Sequence, residues 1–154
     1  MRSYKHKGAS YVEIYQNCNI FNDGAFFVYT DKETKKEEGL FLEQGKPLIF
    51  GDNSSKGIKL DGLRPTIVNL EEGNSTNDLW IHDEQDLMKA QILARFFDDP
   101  KKENGLPRPF GIFYAAIRPT YEEVMRDQIA SVIAKKGKGN LDKLIEGNET
   151  WVIG

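Results

Sequence analysis

Tyr11-Val12-Glu13-Ile14-Tyr15, running into Gln16-Asn17-Cys18-Asn19-Ile20-Phe21-Asn22-Asp23-Gly24, is the stretch on which the reading of this chain turns. The first five residues are β-branched or aromatic apart from Glu13, which predicts a strand with imperfect alternation. Such a strand suits an α/β sheet covered on both faces. It then needs parallel neighbours joined by crossover helices, and the chain offers few of these, so it reads as the tail end of something larger. The residues that follow combine three asparagines, an aspartate and a glycine, the composition of an irregular, side-chain-bonded loop. Loops at the carboxyl ends of strands carry ligands in open α/β sheets. Cys18 stands three residues beyond the strand, where that rule places a functional group.

Outward from this stretch, Met1 to Ser10 is too short and polar to form an element. Asp31 to Glu38 is a mixed-charge run that predicts a solvated loop or frayed turn. Gly39-Leu40-Phe41-Leu42 and Pro47-Leu48-Ile49-Phe50 flank Gln44-Gly45-Lys46 as a hairpin would. A second pair follows, with Gly57 to Leu60 and Thr66 to Leu70 joined at Asp61-Gly62, so residues 40–70 read as a small antiparallel lobe. Asp83-Glu84-Gln85-Asp86 opens a helix through Phe97, its carboxylates at the positive end, and Asp99-Pro100 stops it. Lys101 to Gly105 reads as a polar surface loop, and Phe110 to Ile117 as another strand. Thr120-Tyr121-Glu122-Glu123 is a capping box that starts a helix closed by Lys135-Lys136-Gly137. Asn140 caps a last short helix that ends at Gly147, and Trp151-Val152-Ile153 forms a short apolar tail.

The 154 residues suit one ordinary domain. Hydrophobic residues at 39% with 14 glycines lie in the globular range, and 29% charged residues, unsegregated, do not argue for disorder. The longest apolar run, Ile112 to Ile117, is too short to span a bilayer. The basic start Arg2 to Lys7 has no apolar stretch after it, so no secretory signal is expected. One cysteine excludes an intrachain disulfide framework and fits a reducing cytoplasm. It also excludes a metal site built from several thiolates of this chain. A net charge of −3 argues against nucleic acid as the main partner.

Few residues offer chemistry. His6 lies in the basic tail and reads as solvated. His82-Asp83-Glu84-Gln85-Asp86 resembles a carboxylate-rich metal site, but a helix start accounts for the carboxylates without a metal. Glu13 is either a buried acid with a raised pKa or a strand-end residue facing water or an ion partner, and both stay open. Asn53, Asn74 and Asn148 match the glycosylation pattern, which means little without a secretory route. No glycine-rich phosphate loop and no nucleophile–base pair is present, which disfavours an autonomous hydrolase or transferase. Cys18 remains. Taken alone it is a structural cysteine more often than not, yet the amides of Asn17, Asn19 and Asn22 are donors of the kind that tune an iron–sulfur centre. A single thiolate would be a fourth ligand, with three more from another segment or chain.

Residues 11–26 resemble the strand and loop of the β subunit of 2-oxoacid:ferredoxin oxidoreductases, the 2-oxoglutarate type above all. The likeness continues through Gly45-Lys46-Pro47-Leu48-Ile49-Phe50-Gly51 and Lys56-Gly57-Ile58-Lys59-Leu60-Asp61-Gly62-Leu63-Arg64-Pro65. It resumes at His82-Asp83-Glu84 and Arg118-Pro119-Thr120-Tyr121-Glu122-Glu123, and reaches Leu141-Asp142-Lys143-Leu144 and Thr150-Trp151-Val152. It covers nearly the whole chain in order.

The resemblance implies an α/β fold. Residues 1–30 would be the terminal strand and cluster-side loop of a thiamine-diphosphate-binding domain. Residues 31–154 would be a C-terminal lobe, with a small antiparallel β part and packing helices. It implies an enzyme that oxidatively decarboxylates a 2-oxoacid to its acyl-CoA and passes electrons through a 4Fe-4S cluster to ferredoxin, using thiamine diphosphate and magnesium. Cys18 matches the last of four cluster cysteines. The chain has no Cys-x-x-Cys and no Gly-Asp-Gly motif followed by a magnesium-binding asparagine. Three cluster ligands and the thiamine site are therefore expected in a missing N-terminal half, with an α subunit as a further partner. Alone, the chain is expected to hold no cofactor, to catalyse nothing, and to expose apolar surface where that half sits. The competing expectation is a non-catalytic module that docks to a partner subunit.

Overall fold

A computed structural model describes residues 2–73, 75–97, 105–148, 151 and 153. The chain divides into two compact units, one of residues Glu13–Ala116 and one of Met1–Val12 with Ile117–Gly154. The larger unit is mixed α/β. Strand β1 (Gly39–Phe41) pairs in parallel with β5 (Arg108–Phe110), in the register Gly39 to Arg108, Leu40 to Pro109 and Phe41 to Phe110. A separate antiparallel sheet has the order β2 (Ile49–Phe50), β3 (Lys56–Asp61), β4 (Arg64–Asn69).

Both hairpin predictions meet the structure, with different results. β3 and β4 form the expected antiparallel pair, joined by Gly62-Leu63 after Asp61 pairs with Arg64. Gly62 takes φ +59° and Leu63 does not go positive, the pattern of a type II′ turn, which favours glycine first. The pair predicted across Gln44-Gly45-Lys46 does not form. The chain does turn there, with Lys46 N–H donating to the Glu43 carbonyl at 3.1 Å and Gly45 at φ +74°. The flanks then separate. β1 goes to β5, and Leu48 N–H donates to the Trp80 carbonyl at 2.9 Å while His82 N–H donates to the Lys46 carbonyl at 2.9 Å. Segment 46–48 thus finds its partner in 80–82, which no local pattern announces.

These pairings build one core. Leu40, Leu42, Leu48, Phe50, Ile58, Trp80, Leu93 and Phe96 form its buried cluster, and Leu40, Ile58 and Leu93 have no exposed surface. The last two elements come from α4 (Leu87–Ala94) and the 3-10 turn Arg95–Phe97 behind it. Trp80 meets Phe96 edge to face at 6.2 Å. Of the four predicted residues at the start of α4, Asp86 alone is the cap, its carboxylate accepting from Lys89 N–H at 3.0 Å. The helix closes at Ala94; Asp99-Pro100 and Lys101 to Asn104 lie outside the described residues.

Three further expectations are corrected. Tyr11 to Tyr15 forms no strand: no ladder takes up its backbone, and Tyr11, Val12 and Ile14 are exposed. An apolar pattern becomes a strand only when a neighbour supplies hydrogen bonds and cover. The strand predicted at Phe110 to Ile117 is displaced to Arg108–Phe110, because Gly111 ends it. That glycine takes φ +137°, and a Cβ there would lie 2.9 Å from both the Leu42 Cβ and the Leu42 carbonyl oxygen. A single helical turn also appears at α1 (Arg2–Lys5), where no element was expected, and others at α2 (Phe27–Thr30) and at α3 (Lys35–Glu38), the last within the charged run read as a loop or frayed turn. Glu37 of α3 accepts from Asp52 N–H at 2.9 Å and from Lys56 Nζ at 2.6 Å, which ties this turn to the start of β3.

The smaller unit holds α5 (Tyr121–Lys136) and α6 (Leu141–Glu146), both where their caps predict them. Thr120 and Glu123 complete the reciprocal capping box, and Gly137 ends α5 at φ +78°. Asn140 accepts from Lys143 N–H at 3.1 Å to start α6. None of the described residues of either helix is buried.

Two outcomes follow from these contacts. Gly111→Ala should cost about 2–4 kcal/mol, since it adds both backbone strain and a clash with Leu42; urea unfolding should show the midpoint fall, whereas Gly45→Ala, with open space around its Cβ position, should cost less. The Lys56 ammonium first, and Asp52 N–H next, hold the Glu37 carboxyl below the usual carboxylate range. A depressed folded pKa adds stability above the unfolded value of about 4.3 and loses it as the pH falls through the folded value. Glu37→Gln should therefore lower stability at pH 7 by less than about 1 kcal/mol for so exposed a pair and narrow its gap to the unsubstituted protein under acid, as read by thermal melts at pH 7 and pH 3.

Candidate functional site

Cys18 lies on a loop with a closed base. The rings of Tyr15 and Phe26 stack with centroids 4.6 Å apart and planes 22° apart, so residues 16–25 leave and return at one place. Tyr29 lies 6.2 Å from Tyr15, and both meet Phe110 of β5 edge to face at 5.7 and 5.6 Å. Arg108, also on β5, donates from Nη1 to the Tyr15 hydroxyl at 2.9 Å. Its guanidinium lies 5.8 Å from the Tyr15 ring centroid and 5.4 Å from that of Tyr29.

Inside the loop, Cys18 and Asn22 face each other as an antiparallel bridge, Asn22 N–H donating to the Cys18 carbonyl at 2.9 Å. The five-residue turn so formed brings the backbone amides of residues 20–22 near the sulfur. The Phe21 N–H first, and the Ile20 N–H next, hold the Cys18 thiol below its ordinary value against the opposing effect of desolvation, with a lesser contribution from Asn22 N–H. Amide donors beside a sulfur favour thiolate over thiol. Cys18 is partly exposed, and Ile20 and Phe21 beside it are almost fully so, at 82% and 89%.

Of the three asparagines expected around the sulfur, Asn17 has another task. Its amide nitrogen donates to Asp23 Oδ1 at 3.0 Å and Asn19 Oδ1 at 3.3 Å, while its oxygen accepts from Gly24 N–H at 2.9 Å. Asn17 therefore laces the loop together, Asn19 takes part through its oxygen, and Asn22 reaches the sulfur through its backbone. Tyr15, Phe26, Tyr29 and Arg108 form the support for Cys18. Their signal in the sequence is the aromatic density of residues 11–29, which reads as strand composition; nothing local connects Arg108 to it.

The other candidates serve the fold. His82 is 1% exposed, and its Nε2 lies 2.8 Å from the Ile112 carbonyl, which can only accept, so that nitrogen carries the proton. Its Nδ1 is buried without a hydrogen-bond partner among the described residues. The Gln44 side chain accepts from Glu84 N–H at 2.7 Å and donates to Asp83 at 3.3 Å, and the Glu84 carbonyl accepts from Ala115 N–H at 2.7 Å. His82-Asp83-Glu84 is thus a junction joining the turn at residue 44 to residues 112–115. Gln85 N–H first, and Gln44 next, hold the Asp83 carboxyl below the usual range. Glu13 is exposed, which leaves no buried acid there, and His6, expected to be solvated, is half-buried. Among the described residues no three of His, Cys, Asp and Glu gather as a metal site. A groove lined by Leu63, Arg64, Met88, Ile92, Arg95 and Phe96 contains none of the predicted site residues. Among the described residues no helix is long and apolar enough to cross a membrane.

No family model matches the chain, and no solved structure matches it. Among curated proteins, it is 31% identical over 153 residues, 97% of its own length, to the 2-oxoglutarate oxidoreductase subunit KorB of Mycobacterium tuberculosis. The chain spans 39% of that relative's length. Along nearly all of itself, this chain is therefore similar to the C-terminal part of a 2-oxoglutarate oxidoreductase subunit, the likeness that its own residues carry.

Proposed function

We propose that this chain is the C-terminal segment of the β subunit of a 2-oxoacid:ferredoxin oxidoreductase, of the 2-oxoglutarate type, and that Cys18 is one thiolate ligand of its 4Fe-4S cluster. The observation that carries this reading is the setting of Cys18: a partly exposed sulfur, met by the amides of Phe21, Ile20 and Asn22, on a loop whose apolar tip faces solvent. A cluster thiolate needs deprotonation, hydrogen bonds that spread its negative charge, and an open side towards the iron. A cysteine sealed in hydrocarbon would offer none of the three. One thiol per chain makes it a single corner of the site. The other three thiolates, with the site for thiamine diphosphate and magnesium, belong in this reading to polypeptide equivalent to the rest of the relative's length.

In the complete enzyme, the 2-oxoacid loses carbon dioxide and its acyl group passes to the sulfur of coenzyme A. The bond to the carboxylate breaks, the coenzyme A thiol gives up its proton as the thioester forms, and two electrons are left over. Ferredoxin takes electrons one at a time, so a one-electron relay is required, and that is what the cluster supplies when bound. This chain's part is to fix one iron through Cys18, to stabilise the sulfur's charge through backbone donors, and to present Ile20 and Phe21 to the polypeptide that brings the other ligands. An α subunit and ferredoxin complete the partners, and the setting is a reducing cytoplasm. The second reading, a module that only docks, draws on the self-contained core of residues 13–116.

Anaerobic co-expression with the remaining β polypeptide and an α subunit tests both readings. The assembled complex should contain iron and acid-labile sulfide, and should reduce a viologen dye only with both 2-oxoglutarate and coenzyme A. Cys18→Ala should abolish the cluster's visible and electron-paramagnetic signals and lower dye reduction by at least about tenfold. A Cys18→Ala complex with intact cluster and full activity would reject Cys18 as a ligand, and full activity without any cluster would favour the docking module.

A further inference from the structure

We propose that Arg108 is the positioning residue of the Cys18 loop, acting at a distance in sequence through the Tyr15 hydroxyl. Its importance for electron transfer rests on the reading of Cys18 given above; the structural latch does not.

The loop holds its own shape but has few ties to the rest of its unit. Its internal hydrogen bonds, from Asn17 to Asn19, Asp23 and Gly24 and from Asn22 to Cys18, all lie within residues 17–24. They fix where the amides of Ile20, Phe21 and Asn22 sit relative to the sulfur. They close only while the two ends of the loop are held together. That is decided at its base, where Tyr15 and Phe26 stack. Stacked rings slide and tilt at little cost, because their attraction is broad. A hydrogen bond from a planar guanidinium has a defined direction and length, so it converts a soft contact into a fixed one. Arg108 is suited to this by its place in β5, whose register with β1 puts the neighbouring Leu40 in the core. Its side chain spans the Tyr15 and Tyr29 rings, which stand on either side of the loop in sequence. Cys18 lies only three residues beyond Tyr15, so any freedom at that hydroxyl is passed directly to the sulfur.

Hydrogen exchange on the full chain decides the matter, read at the Asn22 and Gly24 amides, whose acceptors both lie inside the loop. Arg108→Gln and Tyr15→Phe should each speed exchange at these two positions by about three- to tenfold, the effect of a net hydrogen bond. Exchange along β3 and β4 should not change. Tyr15→Phe should add little on the Arg108→Gln background, because the bond is already gone, and Arg108→Lys should restore part of the protection. Unchanged exchange at Asn22 and Gly24 in Arg108→Gln would overturn the proposal. So would an equal acceleration in β3 and β4, which would make Arg108 a residue of general stability. In the assembled complex Arg108→Gln should also lose iron to a chelator several-fold faster. If the unsubstituted complex took up no cluster, the assignment of Cys18 would fall while the exchange result would still decide the latch.

Discussion

The parallel register of β1 and β5 is the constraint on which the larger unit depends. It brings residue 39 beside residue 108 and in doing so performs two jobs with three residue pairs. On the β1 side it places Leu40, wholly buried, among Leu48, Ile58 and Leu93. On the β5 side it presents Arg108 and Phe110 to Tyr15 and Tyr29. A shift of one residue would exchange the faces of each strand and move Arg108 away from the tyrosine hydroxyl. The exact stop at Gly111, forced by the close approach of Leu42, guards that register, since the Leu42 N–H donates to the Phe110 carbonyl at 2.8 Å just before the chain bends.

What could be read in the sequence divides along the same line. The caps of α5 and α6, the cap of α4 at Asp86 and the β3–β4 hairpin depend on residues three or four apart, or on one turn, and each forms close to its predicted place. The pairing of β1 with β5 and of residues 46–48 with 80–82 depends on contacts that no window of sequence contains. The first hairpin shows the difference well. Gly45 turns the chain as its composition demands, yet the turn does not bring its own flanks together, because Leu40 and Leu48 find better partners elsewhere in the core. The stretch Tyr11 to Tyr15 is the opposite case, strand-like in composition and without any ladder. Its pattern asks for neighbours, and a pattern alone cannot supply them.

The candidate site was legible as an address and not as a mechanism. Cys18 could be found from its place in an asparagine-rich loop, but the donors at the sulfur are peptide groups, whose positions depend on the turn rather than on residue type. His82 illustrates the converse. A histidine amid carboxylates suggests a metal, but the structure commits its Nε2 to the Ile112 carbonyl and its neighbours to Gln44 and Ala115. Such a ring, held by its Nε2–H and shut from solvent, joins two segments and leaves no outward-facing ligand set among the described residues.

The division of labour within the Cys18 loop bears on how well it stabilises charge. Side-chain amides can solvate an anion, but they must first be ordered, and each ordered rotamer costs conformational entropy. Backbone amides in a formed turn have met that cost during folding, so they greet a new charge without rearranging. Asn17 is what makes this possible: by joining Asn19, Asp23 and Gly24 through one side chain, it fixes the turn from inside while remaining off the sulfur. The aromatic base fixes the same turn from outside. In the proposed role of Cys18 as a cluster ligand, two such supports would keep the sulfur's geometry when the charge beside it changes by one electron.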